Sequence, residues 1–89
     1  MQKAVENSGA ETPGDARITR LALDFVAFCL ESYKSRHGLS GDEGAGIFRR
    51  YGVGDYLLEG YDILHSFGER QVLDDIDRFI EVRRRKEAR

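Results

Sequence analysis

Val72, Leu73, Ile76, Phe79 and Ile80 fall at relative positions 0, 1, 4, 7 and 8 of one continuous segment. An α-helix brings residues at that spacing onto one face, so the segment reads as an amphipathic helix over about 67–86. Asp74, Asp75, Asp77, Arg78 and Glu81 fill the remaining positions and read as its solvated side. Such a helix cannot bury its stripe alone, so the rest of the chain must offer it a surface.

A second stripe does so. Ile18, Leu21, Ala22, Phe25, Phe28, Cys29 and Tyr33 recur at helical spacing, with Val26 and Leu30 widening the face. This first helix is expected over 15–37. Asp15 would be its N-cap, and Gly38 would take the left-handed position after its end, with Leu39 behind it.

Ser40 and Glu43 have capping-box spacing and open a second helix over about 41–51, burying Ala45, Phe48 and Tyr51 or Ile47. Gly44 and Gly46 each lower its intrinsic stability by about 1 kcal/mol, so it depends on its neighbours. Gly52-Val53-Gly54 ends it, and Asp55 caps a third helix over about 55–64, with Leu57, Leu58, Tyr61 and Leu64 inward. Gly60 inside that helix marks a close backbone approach. Ser66 and Glu69 repeat the capping-box spacing where the last helix begins.

No segment alternates apolar and polar residues between turn signals. The expected fold is therefore all-α: a compact single-domain four-helix unit over 15–83, two long helices flanking two short ones. The first and last helices should pack together through Phe25, Cys29, Ile76 and Ile80. A chain of 89 residues holds one such domain and not two. Residues 1–14 read as a flexible leader, because their polar composition cannot offset the entropy of ordering.

Charge is divided unevenly. Residues 1–82 carry nine Lys/Arg against fifteen Asp/Glu, a net of −6, whereas residues 83–89 carry five against one, a net of +4. The basic tail, 84–89, is expected to continue the last helix, where cations complement the dipole. An acidic body with one basic end is poorly suited to wrapping nucleic acid. No apolar run nears the roughly 18 residues of a membrane span, so no membrane is expected as a partner. A single cysteine forms no internal disulfide, and with no export signal a cytoplasmic setting is expected.

Few residues invite chemistry. Asp74 and Asp75 diverge by about 100° on a helix and do not form an acid–base pair. His37 stands where histidine meets the free carbonyls of a helix end, and His65 closes the third helix within reach of Tyr61 and Asp62. Cys29 lies inside the apolar stripe as a small hydrophobe. The glycines at 52, 54, 60 and 68 punctuate helices and lack the Gly-Lys-Ser/Thr element of a phosphate loop. Segments 41–51 and 55–64 have the size of a helix-turn-helix, but the second reads DYLLEGYDIL, with three acidic residues and no Lys or Arg. Neither an enzyme nor a cofactor or metal site is expected, nor specific nucleic-acid binding.

The expected working surface is the third helix and the loop after it: Asp55, Tyr56, Glu59, Asp62, His65 and Phe67. Aromatic edges beside polar groups make interface anchors. The competing reading makes the same residues scaffold, with Asp55 and His65 as caps and Tyr56 as core.

Tyr51-Gly-Val-Gly-Asp55-Tyr-Leu, Tyr61-Asp-Ile-Leu-His65, Gly68 and Asp74-Asp-Ile-Asp-Arg-Phe-Ile80 together resemble a small bacterial helical family, domain of unknown function thirty-seven ninety-one. Phe25-Val-Ala-Phe-Cys-Leu-Glu31 and the turn His37-Gly-Leu-Ser-Gly41 fit the same pattern, so the resemblance spans about residues 20–83. Some members appear beside predicted ADP-ribosyltransferase-like toxins. The resemblance thus implies a non-enzymatic protein-interaction module, an antitoxin-like or accessory partner of such a toxin. The alternatives are a self-associating structural domain that homodimerises and, less favoured, a helix-turn-helix regulator.

Overall fold

The computed structural model describes residues 13–88, with side chains from Arg17 onward except Ile18. Five helices follow in order: α1 (Pro13–His37), α2 (Gly41–Tyr51), α3 (Val53–Glu59), α4 (Tyr61–Leu64) and α5 (Glu69–Glu87). No strand occurs among the described residues, and the fold is all-α. The expected first, second and last helices are α1, α2 and α5. The expected third is divided at Gly60 into α3 and α4.

The leader expectation for residues 1–12 and the inward placement of Ile18 lie outside the described residues. Helix α1 begins at Pro13 rather than after an Asp15 cap; the fixed φ of proline suits a first helical position. At its far end Gly38 turns left-handed at φ 65°. Leu39 then donates its backbone N–H to the Lys34 carbonyl at 2.9 Å, the closure that a left-handed glycine permits. The Ser40 box forms as expected: Ser40 Oγ accepts from the Glu43 N–H at 3.1 Å, and the Ser40 N–H donates to Glu43 Oε1 at 2.8 Å.

Two of the expected caps are replaced. Gly52, left-handed at φ 70°, both ends α2 and precedes α3, so Asp55 sits inside the first turn of α3 instead of capping it. Ser66 does not cap α5; its hydroxyl donates back to the Ile63 carbonyl at 2.7 Å. The chain around Ser66 is still turning, and only Gly68 reaches the extended backbone that an N-cap needs, at φ −71° and ψ 163°. At Gly60 a Cβ would lie 2.9 Å from Leu64 Cδ1 and 3.3 Å from the Tyr56 carbonyl oxygen. The close approach is therefore to the glycine's own neighbouring turns.

The core joins Cys29 and Tyr33 of α1, Phe48 and Tyr51 of α2, Val53 and Leu57 of α3, Leu64 of α4, and Val72, Leu73, Ile76 and Ile80 of α5. Phe25 and Phe79 pack at its margin. Helices α1 and α5 thus share one core, as expected, although Val53 is a fully buried residue in what reads as a turn. Leu21 and Phe28, expected inward, stay 47% and 51% exposed, and Leu58 is exposed too. Ala45 and Ile47 are only partly covered. The stripe on α1 is wider than the surface that α2, α3 and α5 present to it.

Candidate functional site

The six residues of the expected surface separate into three places. Asp55 borders a depression of about 380 Å³ floored by Val26 and Leu30 of α1 and Ala45 and Phe48 of α2. Glu59 and Asp62 border a second, of about 400 Å³, with Ala22 of α1 and Leu58 of α3. The first lies where α1, α2 and the start of α3 meet, and the second between α1 and α3–α4, so both border the α1–α3 seam. A step of four residues within α3 puts Asp55 and Glu59 on one flank, and Asp62, beyond the break at Gly60, borders the same depression as Glu59.

Tyr56 turns the other way. Its ring stacks on Phe79 with centroids 4.2 Å apart, and its hydroxyl donates to Asp75 Oδ2 at 2.5 Å. The Arg83 guanidinium covers the Phe79 ring at 3.6 Å. Phe67 is half-buried beside Gln71 and Arg78 of α5. His65 keeps to its own helix: its Nδ1 lies 2.6 Å from the Tyr61 carbonyl oxygen, and its ring stacks on Tyr61 at 4.4 Å. Tyr61 in turn meets Phe25 edge-on at 5.6 Å. Of the Tyr61, Asp62 and His65 cluster that helix spacing allows, Tyr61 and His65 pair, with His65 meeting the Tyr61 carbonyl as a cap would, while Asp62 borders the second depression beside Tyr61.

The α5 acids are more engaged than a solvated face. Arg36 donates to Asp74 Oδ1 at 2.9 Å and to Asp77 Oδ2 at 3.0 Å. His37 Nε2 lies 2.8 Å from Asp77 Oδ1 instead of capping carbonyls. Arg50 of α2 donates to Glu87 at 2.9 Å, and the Tyr51 hydroxyl donates to the same carboxylate at 3.3 Å. The last turn of α5 is thus fastened to the end of α2. Periodicity within α5 carries no sign of these partners, which arrive from distant parts of the chain.

Burial pushes the Cys29 thiol up to about 11, with Glu69 adding to the effect. The Asp75 carboxylate that accepts its hydrogen bond pushes the Tyr56 phenol up to about 12, with burial second. Among the described residues no three His, Cys, Asp or Glu side chains are grouped to hold a metal ion.

The geometry defines a small all-α domain with an acidic flank beside a shallow apolar seam. Residues 24–83 match the family described as "Protein of unknown function (DUF3791)", and the chain belongs to that family. The match begins inside α1 and takes in all of α2, α3 and α4 and most of α5. No curated protein and no solved structure matches the chain. No described helix is long and apolar enough to cross a membrane.

Proposed function

We propose that this chain is a non-enzymatic protein-interaction module. The observation that carries the reading is apolar surface left open on α1 and α4: Leu21 and Phe28, seven residues apart on one edge of the α1 stripe, Leu23 on its opposite edge, and Ile63, 67% exposed. One exposed leucine is ordinary; two large apolar side chains one above the other on a helix face, as Leu21 and Phe28 are, mark a surface that another chain covers. The titratable groups support the non-enzymatic part. His37 and His65 are held in contacts between and within helices. The Cys29 thiol is buried and held far from the thiolate a nucleophile needs.

The partner in this reading is an ADP-ribosyltransferase-like toxin met in the cytoplasm, with the chain as its antitoxin-like companion. An acidic body speeds encounter with a basic surface and favours one orientation. Co-expression with a toxin of that class should give a complex that survives size exclusion and lowers ADP-ribosyl transfer. A stable homodimer that forms no such complex would instead favour the self-associating domain, with Leu21 and Phe28 at its interface. A helix-turn-helix regulator draws less support, because α3 carries Asp55 and Glu59 and no Lys or Arg.

A further inference from the structure

We infer that the seam between α1 and α3–α4 is a docking groove for a basic, amphipathic helix of a partner protein. The inference rests on the interaction-module reading and gives it a place and a chemistry.

The floor of each depression is largely apolar. Val26 and Leu30 underlie the first depression, and Ala22 and Leu58 the second. Ala22 stands one turn before Val26, and Leu58 one turn after Gly54, so the two depressions follow consecutive turns of both walls. Leu23, three residues before Val26 and seven before Leu30, shares their face and is 53% exposed. Gly54 keeps the α3 wall low: a Cβ there would meet nothing within 4 Å.

One lip of this groove is acidic and unspent. Asp55, Glu59 and Asp62 are exposed, and none forms an ion pair among the described residues. By contrast Asp74, Asp75, Asp77, Glu81 and Glu87 of α5 each engage a neighbour. An apolar floor beside a row of free carboxylates fits a helix with apolar residues at i, i+3 or i+4, and i+7 and with Lys or Arg on the adjoining face. Arg49 closes the α2 end of the first depression. A cation there favours the carboxyl end of the bound helix, where the dipole is negative. A nucleic-acid occupant would set its phosphates against the carboxylates.

The test uses two fluorescent helical peptides, each with leucines at i, i+4 and i+7. One carries arginines on the adjoining positions, the other glutamates. Anisotropy should show the basic peptide binding about tenfold tighter than the acidic one, with an affinity that falls as salt rises. Replacing the lip (Asp55→Asn, Glu59→Gln, Asp62→Asn together) should abolish that preference and most of the salt dependence. Gly54→Leu should fill the groove and weaken binding about tenfold with a Tm unchanged or raised, since Gly54 has no positive φ to strain and leucine is the better helix former. Leu23→Ser probes the opposite wall independently of how Gly54→Leu folds.

Basic-peptide binding indifferent to both Gly54→Leu and Leu23→Ser would overturn the groove, leaving unspecific charge attraction. Absence of peptide binding would do the same. Self-association of the free chain that Gly54→Leu abolishes would assign the groove to a second copy instead. If toxin capture survives Gly54→Leu while the peptides fail, the groove falls and the module reading stands.

Discussion

His37 Nε2 lies 2.8 Å from Asp77 Oδ1, and this contact fastens the last turn of α1 to the middle of α5. Asp77 also accepts from Arg36, whereas Asp74 accepts from Arg36 alone. Asp77→Ala should therefore lower Tm more than Asp74→Ala. Both groups are partly exposed, so the difference should shrink in 1 M salt, where the Debye length falls to about 3 Å. Equal losses from the two variants, or losses indifferent to salt, would remove the contact from the account of how α1 meets α5.

Tyr56 makes a different kind of link, and pH reads it. Its phenol is pushed up to about 12 by the Asp75 carboxylate, whereas an unfolded tyrosine titrates near 10. Between those values the unfolded chain gives up a proton that the folded chain keeps. The bond's contribution is complete below about pH 10 and fades as pH rises toward 12. Tyr56→Phe retains the stack on Phe79 and removes the bond, costing about 1 kcal/mol at pH 7. The two proteins should converge in stability at high pH, and tyrosinate absorbance should lose its latest-titrating component in the variant. A constant gap across the alkaline range would contradict the bond.

Local signals carried most of the fold and little of the site. The Ser40 box and the Gly38 turn were readable because every atom they need lies within a few residues. Ser66 and Glu69 show the same spacing and form no box, since the backbone at Ser66 is set by the preceding turn of α4 and not by its own side chain. Val53 looked like part of a turn because it stands between two glycines, and its burial comes from the core it joins only after folding. Asp74, Asp75 and Asp77 looked like a solvated face because Arg36, His37 and Tyr56 reach them only after folding. Asp55, Glu59 and Asp62 were expected on one working surface with Tyr56, His65 and Phe67, but the apolar floors beside them draw on α1, α2 and α3 together and needed the tertiary structure.

Two glycines of α2 should respond oppositely to alanine. At Gly46 a Cβ meets nothing within 4 Å, so Gly46→Ala should stabilise by up to about 1 kcal/mol through helix propensity. At Gly44 a Cβ would lie 2.6 Å from Lys34 Cγ and 3.2 Å from Leu30 Cδ1. Those atoms belong to the stem of one side chain and to a core neighbour, so α2 must move away from α1. Gly44→Ala should lose more than propensity returns, a net cost of about 1 kcal/mol. Urea unfolding of the two variants decides it, and a stabilised Gly44→Ala would show the α1–α2 contact to be loose.

The sharpest separation of scaffold from working surface lies along α1 and its neighbours. Leu57 and Ile76 are fully buried, and truncating either to alanine should cost about 3 kcal/mol, a large part of what holds a domain of this size folded. Phe25 and Phe79 lie at the core margin, and Phe25→Ala, which leaves Tyr61 without its edge contact, should cost about 2 kcal/mol. Phe28 is half-exposed, so Phe28→Ser should change stability by less than about 0.5 kcal/mol. If α1 is covered by a partner, that nearly silent substitution should nonetheless weaken capture, whereas Leu57→Ala should weaken capture only as far as it unfolds the chain. Thermal melts and capture measured on the same samples separate the two. A Phe28→Ser protein as destabilised as Leu57→Ala would make the Leu21–Phe28 edge of the α1 stripe core, and that edge would no longer be free to receive a partner.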